Sequence, residues 1–310
     1  MHMRNEFRYP SRDGLTEIHA IEWIPDGRIK AILQICHGMT EHIGRYEEFA
    51  EYLNSQGIYV TGHDHLGHGS SVQSEEYYGY FHEKKGNQYV IGDIHKLREI
   101  TQEKYPEKPY FMLGHSMGSF LLRQYLTMYN SGLKGAVIMG TGWHGKMELN
   151  LGQFLCRMIA AAKGWKYRST FINNLSFGGY NKRFKNDKSG ATWLSANAEN
   201  CKRYEEDPLC GFVFTVNAYY QMFEGMKVLA DKKSIENISK GLPVLFVAGS
   251  DDPVGNFGKS VHKVYMKYKK AGIRDVQLKL YKGDRHEILN ENDREKVYED
   301  LYTWISNRIE

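Results

Sequence analysis

The sequence predicts an α/β fold, a mostly parallel central sheet flanked by helices and interrupted by an inserted, mainly helical segment. Three observations carry this expectation. Short apolar runs alternate with amphipathic helical stretches from about residue 17 to residue 142. The alternation stops near Trp143 and resumes near residue 241. Between one apolar run and the helix after it stands Gly114-His115-Ser116-Met117-Gly118, a serine with a glycine two residues to either side.

The elements follow in order. "LTEIHAIEWI" alternates and reads as an early strand, and "AILQICHG" is a short continuous apolar run of the kind covered on both faces. "RYEEFAEYLNSQG" is an amphipathic helix closed by Gly57. "IYVTGHD" is the next strand, and "DIHKLREITQEKY" is a helix stopped before Pro106. "YFMLG" and "SFLLRQYLTMY" form a strand and a helix around Ser116, and "LKGAVIMG" is a further strand. After the break come strand "LPVLFVAG", helix "GKSVHKVYMKYKKAG", strand "VQLKLYKG" and a last helix "DREKVYEDLYTWISNRI". The economical division is a core of residues 1–142 and 241–310 with a lid over 143–240. An insertion after a strand's C-terminal end lies over the side where α/β sheets place their sites. Within it, Leu151, Phe154, Leu155, Met158, Ile159 and Ala162 fall on one helical stripe. That stripe either lines an acyl pocket, touches lipid, or packs against the sheet.

Composition narrows the classes. The 310 residues carry a formal net charge of +4, with Lys and Arg dispersed rather than clustered, so no nucleic-acid footprint is present. No apolar run approaches the roughly 20 residues of a membrane helix, and the polar start "MHMRNEFRYPSRDG" has no apolar signal core. Cys36, Cys156, Cys201 and Cys210 have no metal-ligand spacing. Cys201 and Cys210 are near enough in sequence to pair, but a reduced compartment is simpler, so a soluble cytoplasmic protein is expected.

The Gly-x-Ser-x-Gly pentapeptide is the pattern of a nucleophile elbow, where strand, sharp turn and helix follow without a break. Gly114 and Gly118 remove side chains that would collide as the chain doubles back. Serine needs a base. Past the resumed alternation there are two histidines. His262 sits off the apolar stripe of Val261, Val264, Tyr265 and Tyr268, a solvated position. His286 follows a strand and a glycine turn, where a loop can bring an imidazole to the sheet's edge. The acid is due at the end of the preceding strand, where Asp251 and Asp252 are neighbours whose side chains point opposite ways. Spacing leaves both open. Attack on a carbonyl also requires pre-aimed N–H donors for the oxyanion. Met117, after the nucleophile, supplies one, and Met39, in the turn after "AILQIC", supplies the other.

Taken together, "HGMTEHIGRY", "HDHLGHGSS", "GHSMGS", "GSDDPV" and "DRHEILNE" resemble the monoacylglycerol lipase and lysophospholipase group of α/β-hydrolases. The matches run in order from residue 37 to residue 291 and cover the core well and the insertion poorly. The resemblance implies an α/β-hydrolase fold and a serine esterase acting on small ester or lipid substrates through Ser116, Asp252 and His286. Oxyanion donors would be Met39 and Met117, and no metal or organic cofactor would be needed. It favours Asp252 because the group's acid is the third residue after the glycine, here Gly249. Ser119 stands where the group often has another glycine. At most transient membrane-surface contact, through the lid, is expected, with Arg157, Lys163, Lys166 and Arg168 as candidate contacts to an anionic surface.

Three rival readings are open at this level. The histidines and aspartate of "HDHLGH", residues 63–68, are metal-ligand types. A binding protein on the same fold is another, and a peptidase or thioesterase using the same triad is the third.

Overall fold

In the computed structural model, which describes residues 3–129, 131–184 and 189–309, eight strands form one sheet in the order β1-β2-β4-β3-β5-β6-β7-β8. They are β1 (Met3–Pro10), β2 (Glu17–Ile24), β3 (Ala31–Cys36), β4 (Ile58–His63), β5 (Tyr110–His115), β6 (Gly135–Met139), β7 (Val244–Gly249) and β8 (Val276–Tyr281). β2 runs antiparallel to both β1 and β4, and every pairing from β4 to β8 is parallel. β1 is the one strand not anticipated. It is a largely exposed edge whose sequence, MRNEFRYP, carries few apolar residues to signal it.

The continuous apolar runs of β3 and β5 follow from burial on both faces. Ala31, Leu33 and Ile35 pack on one side, and Ile32 and Cys36 on the other. On the first side lie α1 (Glu47–Ser55) and the C-terminal helix; on the second lie α2 (Gly86–Lys104), α3 (Met117–Met128) and the helix before β8. α2 begins seven positions before the stretch read as helix, because "GNQYVIG" continues its buried face through Asn87, Val90 and Ile91.

Between β6 and β7 the chain forms α4 (Lys146–Lys163), α5 (Thr170–Phe177), α6 (Ala198–Glu206), α7 (Val216–Ala230) and the short α8 (Lys232–Glu236). The alternation then resumes with α9 (Lys259–Lys270) before β8 and α10 (Arg294–Ser306) after it. No helix among the described residues is long and apolar enough to cross a membrane.

α4 divides the stripe whose role the sequence left open. Leu151, Phe154 and Met158 are more than half exposed, and Ala162 is exposed, while Leu155 and Ile159 are partly buried. The inward seam is Leu149, Gly152, Gln153, Cys156 and Ala160, which faces α7. A Cβ at Gly152 would sit 2.8 Å from the Phe223 ring of α7, so the glycine sets which side of α4 turns inward.

Candidate active site

Ser116 lies between β5 and α3 with φ 52° and ψ −117°, a positive-φ conformation that costs a non-glycine residue about 1–3 kcal/mol. A hydrogen bond from its N–H to the Met139 carbonyl, 3.0 Å, holds the turn to β6. The two glycines answer to different neighbours. A Cβ at Gly114 would land on the Gly118 carbonyl, so that glycine lets the elbow close on itself. A Cβ at Gly118 would land on the Cys36 and His37 carbonyls, so that glycine lets α3 approach the loop after β3. The Ser119 hydroxyl turns back onto the Ser116 carbonyl at 2.6 Å, which accommodates a serine where glycine is common.

His286 is in the loop after β8 and Asp252 is in the loop after β7, and both are buried. The His286 Nδ1–H donates to Asp252 Oδ2 at 3.0 Å. A carboxylate only accepts, so the bond fixes the tautomer and leaves Nε2 as an acceptor. Nε2 is buried and has no partner among the described residues. Asp252 also accepts the Val254 N–H at 2.8 Å. Asp251 stays in the turn, where its N–H donates to the Asp284 carbonyl at 2.9 Å. Burial and pairing thus separate two aspartates that spacing left equivalent. His262 is exposed on α9.

Ser116 and His286 line one cavity of about 510 Å³, with Gly38, Met39 and Thr40 on one wall. Met117 opens α3, so its N–H belongs to the first turn, which has no intrahelical acceptor, and no side chain caps that helix. Among the described residues the Met39 N–H also has no acceptor. The far wall comes from the segment between β6 and β7, including Asn174, Phe177, Trp193 and Phe212. No α4 residue lines it. The indole of Trp193 lies 5.1 Å from the His286 ring, centroid to centroid.

Behind the cavity lies a charge network that the motifs contained but did not disclose. Glu41 accepts the Gly38 N–H, the Tyr46 hydroxyl at 2.9 Å and the Arg45 guanidinium at 2.8 Å. Arg45 also grips both oxygens of Glu287, at 2.6 and 2.7 Å. His115 donates from Nδ1 to Glu41, 3.2 Å, and from Nε2 to the His286 carbonyl, 3.2 Å. The Tyr46 hydroxyl lies 3.1 Å from the same Nδ1. Burial alone would lower the proton affinity of His115, but the hydrogen bond and charge of Glu41 outweigh it and raise its pKa. Burial would likewise raise Glu41, yet His115 and Arg45 hold it well below the carboxylate range. The network ties the loop after β3, the nucleophile strand and the His286 loop into one unit. Glu41, His115 and Glu287 each stand inside a quoted motif, but the Arg45–Glu287 pair spans 242 positions, which no local pattern reveals.

The histidines of 63–68 do not assemble a chelate. Asp64 accepts the N–H groups of Ile43 and Ser70 at 2.9 and 2.8 Å and pairs with His19 at 2.8 Å. His63 Nε2 and His65 Nδ1 lie 3.1 Å apart, sharing a hydrogen bond, and the His65 N–H donates to His37 Nε2 at 2.9 Å. Burial drives the pKa of His63 and His68 down to about 3. These are neutral, packed imidazoles. Cys201 and Cys210 are both free thiols.

A strained serine between a parallel strand and a helix, on one cavity with a histidine–aspartate pair from the loops after the last two strands, fits an α/β-hydrolase. Comparison with known proteins narrows the class. Residues 27–293 match the family described as serine aminopeptidase, S33. Monoglyceride lipase of Rattus norvegicus is 26% identical over 291 residues, 93% of this chain and 86% of that protein. Monoacylglycerol lipase of Mycolicibacterium smegmatis is 24% identical, covering 99% of this chain and 98% of the relative. A crystal structure of a thermostable carboxyl esterase from Bacillus coagulans, in complex with glycerol, superposes with a TM-score of 0.91 at 30% identity over 100% of both chains. The chain belongs to the S33 serine aminopeptidase family, in its monoacylglycerol lipase group, and is a serine ester hydrolase.

Proposed function

We propose that the protein hydrolyses monoacylglycerol- or lysophospholipid-like esters through an acyl-enzyme on Ser116. His286 Nε2 takes the Ser116 proton as Oγ attacks the ester carbonyl carbon. The carbonyl π electrons move onto oxygen, where the N–H groups of Met39 and Met117 stabilise them. Asp252 holds the Nδ1–H tautomer and stabilises the imidazolium. The acyl carbon–oxygen bond then breaks, and the leaving alkoxide takes the proton from His286. Water repeats the sequence, with His286 as base, and frees the carboxylic acid.

The observation that carries this reading is the buried Asp252–His286 pair with its unpartnered Nε2 on the cavity that holds Ser116. The cavity volume suits a ligand with a single acyl chain. An aminopeptidase needs a carboxylate free to bind the substrate ammonium. Glu41, Glu205 and Glu287 line the cavity; buried Glu41 and Glu287 are paired with Arg45, and exposed Glu205 accepts from the Ser189 hydroxyl and the Ala191 N–H through one oxygen. Ester hydrolysis is the better reading on the likeness to monoacylglycerol lipases and a carboxyl esterase, with peptide or thioester hydrolysis by the same groups the alternative.

Residues 143–240 form the lid in this reading. Met147, Leu151, Phe154 and Met158 of α4, with Phe171 and Leu175 of α5, are exposed apolar side chains fitted to transient contact with a lipid surface. The nearby cations contribute less than their number implies. Arg157 donates to the Tyr220 hydroxyl, Arg168 to the Tyr78 carbonyl, and Lys166 lies over the Tyr77 ring.

The test is intact mass and peptide mapping after reaction with an alkyl fluorophosphonate, followed by kcat/KM for monoacylglycerols, lysophospholipids, thioesters and aminoacyl amides. A single adduct on Ser116 with preference for the first two classes is expected. An adduct elsewhere, or a preference for amides, sinks the proposal.

A further inference from the structure

His42, Asp207 and Cys210 meet where the loop after β3 touches the segment between α6 and α7. The His42 Nε2, one Asp207 oxygen and the Cys210 sulfur all lie within 4.8 Å of one another. His42 Nε2 and Asp207 Oδ2 are 2.9 Å apart. Their place is distinctive. His42 and Asp207 line an outer cleft, whereas Cys210 lines the catalytic cavity, so the cluster occupies the wall between the two. The imidazole and carboxylate keep 19% and 27% of their side-chain surface exposed, which leaves a cation an entry path.

We infer that His42, Asp207 and Cys210 form a binding site for a borderline-soft divalent cation of the zinc class, joining the oxyanion-side loop to the helical insertion. Nitrogen, carboxylate oxygen and thiolate are the donor set that such ions select. Three protein ligands leave the fourth tetrahedral position to water. Zinc–ligand lengths set donor separations of roughly 3.3–3.6 Å, so the imidazole and carboxylate spread by a few tenths of an ångström as the ion replaces their hydrogen bond. Asp207 is already oriented for this, since its other oxygen accepts the Leu209 N–H at 2.8 Å. The local charge also fits. Four carboxylates and two guanidiniums line the outer cleft, and Cys210 lies in the field of Asp207, Glu41 and Glu287 against Arg45 alone. On binding, the thiol gives its proton to solvent and the sulfur becomes the ligand.

The loop that would carry the ion already rests on the oxyanion-side loop. The Gly211 N–H donates to the Thr40 carbonyl at 3.0 Å, and the Tyr204 hydroxyl reaches the same carbonyl at 3.2 Å. A bound cation converts these hydrogen bonds into a stronger cross-link beside Met39.

Cobalt(II) titration of the purified, reduced full chain tests the site. A thiolate-to-cobalt charge-transfer band that saturates at one equivalent and is displaced by zinc is expected. Cys210→Ser abolishes the band, Asp207→Asn and His42→Ala each weaken cobalt binding about tenfold or more, and Cys201→Ser leaves the band intact. Zinc raises the melting temperature of the wild type and not that of Cys210→Ser. No band in the wild type, or a band that survives Cys210→Ser in protein that melts cooperatively, overturns the inference.

Discussion

The helices beside the sheet and the helices between β6 and β7 begin in different ways. α1, α2, α3, α9 and α10 have no side-chain hydrogen bond at their N-caps. α5, α6, α7 and α8 are each capped, by Ser169, Asn197, Thr215 and Asp231, while α4 starts at Gly145, with Glu148 reaching back to the Gly145 N–H at 3.4 Å. Helices laid on a sheet are fixed by the apolar face they bury, so their first N–H groups are free for other uses. In the proposed mechanism that freedom is used at α3, because a cap there would compete with the oxyanion. Helices that lack a sheet to lie on are started by local chemistry instead. Stability is held in common burial on one side of the molecule and in separate local devices on the other.

Ser116→Ala gives the largest expected effect: esterase activity falls at least about 10⁴-fold while circular dichroism and the melting transition are unchanged. Near-normal turnover in the folded variant breaks the assignment of the chemistry to the sheet edge. Arg45→Met strands Glu41 and Glu287 as buried charges, and urea titration should show a loss of about 3–5 kcal/mol. A loss below about 1 kcal/mol would mean the network behaves as a surface pair.

His68 sharpens the comparison through pH. Its folded pKa of about 3 lies below its ordinary 6.5, so the unfolded chain binds the extra proton first. Its contribution is therefore complete above pH 6.5 and is lost as pH falls toward 3. Relative to His68→Phe, the wild type should lose about 1.4 kcal/mol per pH unit in that window. Parallel stability curves for the two proteins would mean that the buried imidazole is protonated without penalty. In the insertion, Thr215→Ala should cost about 1–2 kcal/mol by removing the α7 cap, measured by denaturant unfolding. Phe154→Ser should change stability by less than about 0.5 kcal/mol, lower activity on lipid vesicles, and leave activity on a short soluble ester unchanged. Equal loss on both substrates would place Phe154 in the protein's own packing.

The same divide decides what was legible in the sequence. β3, β5 and β7 are readable because two-sided burial leaves uninterrupted apolar runs, and Ser116 because only glycine fits at 114 and 118. Spacing alone left Asp251 and Asp252 open and only the family resemblance favoured Asp252, because two adjacent aspartates do not encode which is buried. β1 is an exposed edge and leaves no apolar signature. α4 misleads because its most apolar stripe is not its buried one. Gly152 and Gln153 turn inward, and Leu151, Phe154 and Met158 turn out. Glu287 meets Glu41 and Arg45, which stand four positions apart, only in space.

Much of the seam between the His286 loop and the segment joining β6 to β7 uses main chain on that segment's side. The Arg285 guanidinium donates to the Thr192 and Ser195 carbonyls at 2.7 and 3.1 Å. The Glu287 N–H donates to the Leu194 carbonyl at 2.7 Å, and the Ala196 N–H donates to Glu291 at 2.9 Å. These bonds do not depend on the side chains at 192–196, whereas the Asn200 amide on Glu287, 2.7 Å, and the Asn197 amide on the Asn290 carbonyl, 3.1 Å, add side-chain ties beside them. The cavity's far wall can therefore change its inward side chains while these main-chain bonds keep its backbone against the His286 loop.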